Sequence, residues 1–254
     1  MSTVSLEEFL KPISHALGRT EVPTSVTPCA ATKAPLPHDY RKYTTEELAC
    51  WFIREAEKVG TVVKQATPAE VSACVVELVQ QFGDGGHVVF ADVPEIDEYQ
   101  IPEALNEASL MGVRWDPTSR EASVGRAENA DVGITVASFG IAETATVIQK
   151  CTVQSGRSIC LLPIGHIALL RKKDIFPYMT QLMESWEEAV ASGESMPSNY
   201  TFISGPSNTA DIELVRVVGV YGPVHAGVIF IDDEPTINDQ STKGQELYSW
   251  PFLF

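Results

Sequence analysis

Basic residues are scarce in this sequence. It contains 18 Lys and Arg against 34 Asp and Glu, so the formal net charge over its 254 residues is −16. A charge of this sign repels phosphate at long range, which argues against non-specific binding to nucleic acid or to an anionic membrane surface. We expect the acidic excess to serve solubility or the docking of a basic partner.

Long apolar runs are also missing. The longest uncharged runs, residues 158–170 and 217–231, are interrupted by Gly, Pro and His. Neither run provides the roughly 20 consecutive apolar residues that a membrane-spanning helix needs. The N-terminus carries Glu7 and Glu8 where a secretory signal would be basic and then apolar. We therefore expect no membrane insertion and a cytoplasmic location.

Cysteine is too sparse and too scattered to form a metal centre within the chain. The five cysteines include no C-x-x-C pair, which argues against an in-chain iron–sulfur cluster or structural zinc site. The sequence also lacks the glycine patterns of a Walker or Rossmann loop, so it does not support dinucleotide binding by the usual loop. We expect no metal site and no cofactor in this chain.

The order of apolar segments predicts an α/β fold. Short apolar strands at 61–64 and 87–91 alternate with amphipathic helices at 44–59, 67–82, 101–111 and 121–129. This alternation is typical of a mostly parallel sheet with helices on both faces. Further strands are predicted at 132–137, 144–149, 158–163, 166–170 and 227–231, with one long helix at 174–191. A Pro-rich arm (1–43) precedes the α/β domain (44–235), and a partly aromatic tail (236–254) follows it.

The segment 203–213 reads Ile-Ser-Gly-Pro-Ser-Asn-Thr-Ala-Asp-Ile-Glu. If a helix starts here after a strand, the hydroxyls and free backbone N–H groups would bind a carboxylate or phosphate. Alternatively, the glycine only permits a bend and Asn208 or Thr209 caps a helical turn. The candidate ligand-binding residues are Ser204, Gly205, Ser207, Thr209, Asp211 and Glu213, together with Gly222 in a similar turn at 219–225.

Two further residues are candidates for catalysis. Glu143 lies among small and apolar residues between two predicted strands, where burial would raise the pKa of its carboxyl and suit it to proton transfer or nucleophilic attack. His166 follows a Pro/Gly break between apolar segments, where an imidazole could act as acid, base or hydrogen-bond donor. The alternatives are a strand-edge carboxylate for Glu143 and a core histidine, satisfied by the backbone, for His166.

Several blocks of the sequence, in a fixed order and spacing, form one pattern. They are Asp131-Val132-Gly133-Ile134-Thr135, Ile141-Ala142-Glu143-Thr144, Leu162-Pro163 with His166-Ile167, Ile203-Ser204-Gly205-Pro206-Ser207 with Thr209-Ala210-Asp211-Ile212-Glu213, and Gly219 with Gly222-Pro223. Together these blocks resemble the LUD domain, the lactate utilization protein C family. The resemblance covers about 48–232, is strongest from Asp131 onward, and is most specific in the Ser-Gly-Pro block at 204–206. One position departs from the family pattern, because Ala145 replaces the glycine of Glu-Thr-Gly-Thr.

This resemblance implies a fold like that of the ribose-5-phosphate isomerase, glucosamine-6-phosphate deaminase and CoA-transferase superfamily. It also implies an accessory subunit that works with iron–sulfur lactate utilization proteins to oxidise L-lactate to pyruvate, with the clusters on those partners. The serine turn adds the hypothesis that this chain binds a small carboxylate or other anionic ligand. Whether the chain is itself an enzyme is left open by the sequence. One alternative is a free-standing enzyme of the CoA-transferase or isomerase type, acting on an acyl-CoA or sugar phosphate with Glu143 as nucleophile or base. Another is a purely structural or regulatory binding module.

Overall fold

A computed structural model of the chain describes residues 5–22, 43–210 and 216–232. The chain divides into two compact units, residues 1–39 and 40–254. In the first unit, helix α1 (Leu6–Ala16) begins at Ser5, which forms a capping box with Glu8. No helix among the described residues is long and apolar enough to cross a membrane.

The second unit contains the remaining helices and strands. The helices are α2 (Thr45–Val59), α3 (Val71–Phe82), α4 (Pro94–Glu98), α5 (Ile101–Glu107), α6 (Arg120–Glu128), α7 (Ser158–Leu161) and α8 (Met179–Ala191). The strands are β1 (Thr61–Ala66), β2 (His87–Phe90), β3 (Met111–Arg114), β4 (Val132–Val136), β5 (Phe139–Ile141), β6 (Thr146–Lys150), β7 (Gly165–Arg171), β8 (Ile175–Phe176), β9 (Tyr200–Ile203), β10 (Asn208–Ala210), β11 (Arg216–Val218) and β12 (His225–Ile231).

A six-stranded parallel sheet forms the centre of this unit, in the order β1-β12-β7-β4-β2-β3. Strand β7 shows how its two faces are covered. Ile167 and Leu169 pack with residues of α3, whereas Ala168 and Leu170 pack with residues of α2. Because successive side chains of a strand point to opposite faces, α3 and α2 cover different faces of the sheet. The predicted α/β fold, a mostly parallel sheet with helices on both faces, is confirmed.

A second, four-stranded sheet has the order β8-β5-β6-β9 and packs against α8. Its core contains Ile141, Ile148 and Leu182, which are fully buried. On α8, Trp186 stacks on Tyr200 with ring centroids 4.2 Å apart. Strands β10 and β11 form a separate antiparallel pair.

Several predicted element boundaries are wrong. Residues 158–163 were expected as a strand, but 158–161 form the helical turn α7, since a short apolar run does not by itself distinguish a strand from a buried helical segment. The helix expected from 174 begins only at Met179, because Ile175 and Phe176 pair with β5 as strand β8. The helix expected at 67–82 begins at Val71, and the one expected at 101–111 ends at Glu107.

An ion cluster around the buried side chain of Lys172 ties the carboxyl ends of β7 and β12 to the start of α2. The Nζ atom of Lys172 lies 2.6 Å from Glu46 Oε1 and 2.9 Å from Asp232 Oδ2. Burial acts to lower the pKa of the Lys172 ammonium, but the hydrogen bonds to the two carboxylates outweigh that effect and raise it. The ammonium is therefore held charged between three segments of the chain.

Candidate functional site

A cavity of about 260 Å³ opens beside the amino-terminal halves of β7 and β12. At about 30 Å³ per water molecule, it has room for a ligand that displaces roughly nine waters, which is the scale of a small metabolite. Four parts of the chain line the cavity. They are helix α7 before β7, the segment 221–223 before β12, one residue in each of β7 and β12, and the end of β9 with the turn that follows it. The lining residues are Cys160, Leu161, His166, Phe202, Ile203, Ser204, Gly205, Pro206, Ser207, Tyr221, Gly222, Pro223 and Ala226.

His166 supplies a buried imidazole to the cavity. Its Nε2 atom lies 2.8 Å from the hydroxyl oxygen of Thr135 on the neighbouring strand β4, and either group can donate in that hydrogen bond. Burial lowers the pKa of His166 to about 4, because the charged form loses its hydration. At neutral pH the ring is therefore uncharged, and it brings no positive charge to the cavity.

The Ser-Gly-Pro turn is held against the carboxyl end of α2. Gly205 has a φ of 84°, and a Cβ atom at this position would lie 3.0 to 3.1 Å from atoms of Val59. Both the left-handed backbone and the close approach favour glycine here. Gly205 therefore contributes to the site by fixing the path of the chain between Ser204 and Ser207.

Ser207 connects this turn to the segment that precedes β12. Its backbone N–H donates to the Pro223 carbonyl at 2.8 Å, and its hydroxyl accepts from the Tyr221 N–H at 3.4 Å. A Cβ atom on Gly222 would lie 3.4 Å from the Cβ of Ser207, which places Gly222 directly beside that serine. The expectation of a helix start after Ser207 is wrong, because residues 208–210 form strand β10 and the Ser207 N–H is already bonded.

A chain of hydroxyl groups reaches Ser204 from the turn that contains Glu143. The Thr144 and Thr146 hydroxyl oxygens are 2.7 Å apart, and those of Thr146 and Ser204 are 2.6 Å apart. Two regions that the sequence analysis treated as separate candidates are thus in contact. Thr144 lies in the turn before β6, and Ala145 between the two threonines has a φ of 48°, so their contact depends on the path of this turn.

Glu143 itself lies outside the cavity lining. Its backbone N–H donates to the Pro177 carbonyl at 3.1 Å, and its side chain is exposed. The expected burial of this carboxyl is therefore wrong, because the turn directs the side chain outward while its neighbours Ala142 and Ala145 are buried. A catalytic role for Glu143 stays a prediction, and the geometry of the cavity does not support it.

Three predicted ligand-binding residues lie elsewhere in the sequence, at Thr209, Asp211 and Glu213. Thr209 lies in β10, paired with Val217, and is not among the residues that line the cavity. Asp211 and Glu213 lie outside the described residues. The cavity therefore brings together His166, Ser204, Gly205, Ser207 and Gly222.

The apolar and thiol groups of the lining are not predicted from the sequence. Cys160, Phe202 and Tyr221 line the cavity, and burial raises the pKa of the Cys160 thiol to about 12, so that it stays protonated. Nothing in the local sequence around these residues marks them. Their placement depends on how α7, β9 and the segment before β12 meet in the fold.

Comparison with known proteins places the chain in a family. The LUD domain family matches residues 51–231. "Lactate utilization protein C" of Halalkalibacterium halodurans is 33% identical over 227 residues, which cover 89% of this chain and 97% of that protein. "Lactate utilization protein C" of Bacillus subtilis is 32% identical over 231 residues, and "Uncharacterized protein YkgG" of Escherichia coli is 36% identical over 231 residues; each alignment covers 89% of this chain, with 96% and 97% of the respective relatives.

A solved structure has the same fold. The crystal structure of a DUF162 family protein from Deinococcus radiodurans matches 74% of this chain and 99% of its own, with 22% sequence identity and a TM-score of 0.54. That likeness concerns the fold alone. The family match and the sequence relatives together show that this chain belongs to the LUD domain family.

Proposed function

We propose that this chain is an accessory subunit of a lactate utilization system and that its cavity binds a small carboxylate such as L-lactate or pyruvate. The system oxidises L-lactate to pyruvate, and its iron–sulfur clusters are on partner subunits. The relatives named lactate utilization protein C support the assignment of this chain to lactate utilization. The observation that carries the ligand assignment is the cavity of about 260 Å³, which contains His166, Ser204 and Ser207.

The chemistry of the lining suits a hydroxy acid or keto acid. The hydroxyls of Ser204 and Ser207 supply hydrogen-bond donors for a carboxylate, and the uncharged ring of His166 supplies a donor or acceptor for the ligand's hydroxyl or keto oxygen. Phe202, Pro206 and Ala226 provide apolar surface for the methyl group. Polar groups at one side of a small cavity and apolar contacts elsewhere are typical of small-molecule sites.

A genetic experiment tests the role in lactate utilization. We expect deletion of the gene for this chain to abolish growth on L-lactate and to leave growth on pyruvate unchanged. Expression of the wild-type chain should restore growth on L-lactate. Normal growth of the deletion strain on L-lactate would overturn the proposal.

Matched variants connect the growth phenotype to the cavity. Ser207→Ala removes a hydroxyl from the lining, whereas Ser192→Ala removes an exposed hydroxyl next to the end of α8. We expect Ser192→Ala to restore growth on L-lactate fully and Ser207→Ala to restore it poorly at equal protein levels. Equal restoration of growth by both variants would show that the cavity hydroxyl is not needed for lactate utilization.

The assignment of the clusters to partner subunits has its own test. An affinity-tagged copy of this chain, isolated from cells growing on L-lactate, should bring down iron and acid-labile sulfide, while the chain expressed alone should contain neither. Iron bound stoichiometrically to the isolated chain would contradict this part of the proposal.

A further inference from the structure

The hydroxyl chain between Thr144 and Ser204 is held in place by the second sheet. Val147 of β6 pairs with Ile203 of β9 in antiparallel register. Continuing that register by one residue on each strand places Thr146 opposite Ser204, and their hydroxyl oxygens are 2.6 Å apart. The relative position of the two groups therefore follows from the strand pairing and not from a chance contact of two surface side chains.

The three hydroxyls differ in their exposure. Thr146, in the middle of the chain, is 3% exposed, whereas Thr144 and Ser204 at its two ends are exposed, and Ser204 lines the cavity. The buried central group thus links a hydroxyl outside the cavity to a hydroxyl in its lining. Because Thr146 is buried, its own hydroxyl is shielded from water.

Three hydroxyls joined by two hydrogen bonds can donate in sequence in one direction or in the other, or both outer hydroxyls can donate to the central one. If Thr144 donates to Thr146 and Thr146 donates to Ser204, the proton of Ser204 is free to donate into the cavity. In the reverse arrangement, a lone pair of Ser204 faces the cavity and the free proton belongs to Thr144. A carboxylate has acceptors only, so it selects the first arrangement, in which each bond polarises the next.

We infer that Thr146 is a positioning residue that makes Ser204 the hydrogen-bond donor to the ligand's carboxylate, with Thr144 completing the chain at the surface. This inference rests on the proposed function, because it concerns the same cavity and the same class of ligand. The inference goes beyond the proposed function by assigning a role to two residues outside the cavity lining. It also explains how an uncharged serine at this position becomes a stronger donor than an isolated hydroxyl.

The test compares two substitutions of the same residue. Thr146→Val keeps the shape of the side chain and removes the hydroxyl, whereas Thr146→Ser keeps the hydroxyl and removes a methyl group. Sodium L-lactate is titrated into each purified protein at constant ionic strength, and the dissociation constant is measured by calorimetry. We expect Thr146→Val to weaken L-lactate binding by about tenfold, the upper end for the net loss of one hydrogen bond between neutral groups, and Thr146→Ser to stay within about threefold of the wild type.

A double-mutant cycle separates positioning from a general structural effect. Ser204→Ala removes the donor, so Thr146→Val should cause no further loss of affinity in that background. If the two substitutions instead weaken binding independently, Thr146 does not act through Ser204 and the inference is overturned. If Thr146→Val does not fold, Thr144→Val at the end outside the cavity serves instead, with an expected loss of about threefold that Ser204→Ala again removes.

The outcomes distinguish this inference from the function on which it rests. Equal affinity of the wild type and of Thr146→Val for L-lactate overturns the inference and leaves the proposed function standing. Absence of L-lactate and pyruvate binding to the wild type overturns both. Loss of binding in Thr146→Val, retention in Thr146→Ser and a non-additive cycle support both.

Discussion

The hydroxyl oxygen of Thr135 lies 2.8 Å from Nε2 of His166, and both residues are buried. This contact joins two adjacent parallel strands at the edge of the cavity, and Thr135 lies two residues along β4 from Gly133, the residue that pairs with His166. It gives the imidazole one neutral partner, which satisfies an uncharged ring but does not compensate a buried positive charge. The protonation of His166 should therefore be coupled to folding.

Acidification should destabilise the protein through His166. The pKa of His166 is about 4 in the folded state and about 6.5 in the unfolded state, so between these values the unfolded state binds the proton more strongly. The stability from this group is fully present above pH 6.5 and is lost as the pH falls toward 4; between pH 7.5 and pH 5 the loss should be about 2 kcal/mol. Urea unfolding at the two pH values measures it.

Two variants isolate this contribution from that of other groups. His166→Gln should reduce the difference between the unfolding free energies at pH 7.5 and pH 5 by about 2 kcal/mol. His87→Gln, at an exposed position, should leave that difference within about 0.5 kcal/mol of the wild type. A wild-type pH dependence in His166→Gln would show that the ring is not buried in its neutral form.

Gly133 should not tolerate a side chain. A Cβ atom here would lie 1.8 Å from the carbonyl oxygen of Ile159 in α7, so Gly133→Ala must displace the turn that supplies Cys160 and Leu161 to the cavity. We expect a loss of about 3 kcal/mol or more in unfolding free energy. Gly125→Ala is the control, because a Cβ on this helical glycine contacts nothing within 4 Å and should add up to about 1 kcal/mol of stability. Similar stabilities of the two variants in thermal or urea unfolding would contradict the packing of α7 on β4.

Alanine substitutions at Gly205 and Gly193 distinguish the free-energy cost of backbone strain from that of a packing clash. Both have left-handed backbones, with φ of 84° and 91°, but only Gly205 lies against another residue, Val59. Gly193→Ala should cost about 1 kcal/mol from the backbone alone, and Gly205→Ala about 2 kcal/mol because the added methyl also presses on α2. Urea unfolding measures both effects. If the two variants lose equal stability, the turn is not seated on α2 as described.

Lys172 should be more important for stability than an exposed lysine. Its side chain is 6% exposed and contacts both Glu46 and Asp232, so Lys172→Met leaves two carboxylates close together without their shared cation. We expect a loss of about 2 kcal/mol in unfolding free energy. Lys58→Met, which removes a mostly exposed partner of Glu55, should cost no more than about 0.5 kcal/mol. Equal losses would show that the pairing of the buried Lys172 contributes nothing beyond a surface ion pair.

The sequence predicts the architecture of this protein better than its local boundaries. The apolar strands between amphipathic helices were recognised because the helical and strand periodicities differ along the chain. The errors fall where short apolar segments allow either structure, as at Ile159 and Ile175, and where pairing with a distant strand decides the outcome. At Ala145, the departure from the family's glycine has a physical meaning, because its φ of 48° is a conformation that glycine adopts more easily.

The candidate site is predicted only in part. His166, Ser204 and Ser207 are residue types that commonly bind ligands, so the sequence predicts them as candidates, and the fold brings them to one cavity. The outward orientation of Glu143 and the contribution of Tyr221 could not be predicted, because each depends on the path of a turn relative to strands that are distant in sequence.

The most direct test of the central claim is a titration of the isotopically labelled protein with sodium L-lactate, followed by the backbone amide resonances at constant pH and ionic strength. We predict saturable shifts in the amides around the cavity, at Ser204, Gly205, Ser207, Tyr221 and Gly222, with weaker shifts in a Ser204→Ala variant at the same ligand concentration. The absence of saturable shifts with L-lactate and with pyruvate, or shifts confined to the opposite end of the sheet around Lys172 and Asp232, would contradict the account.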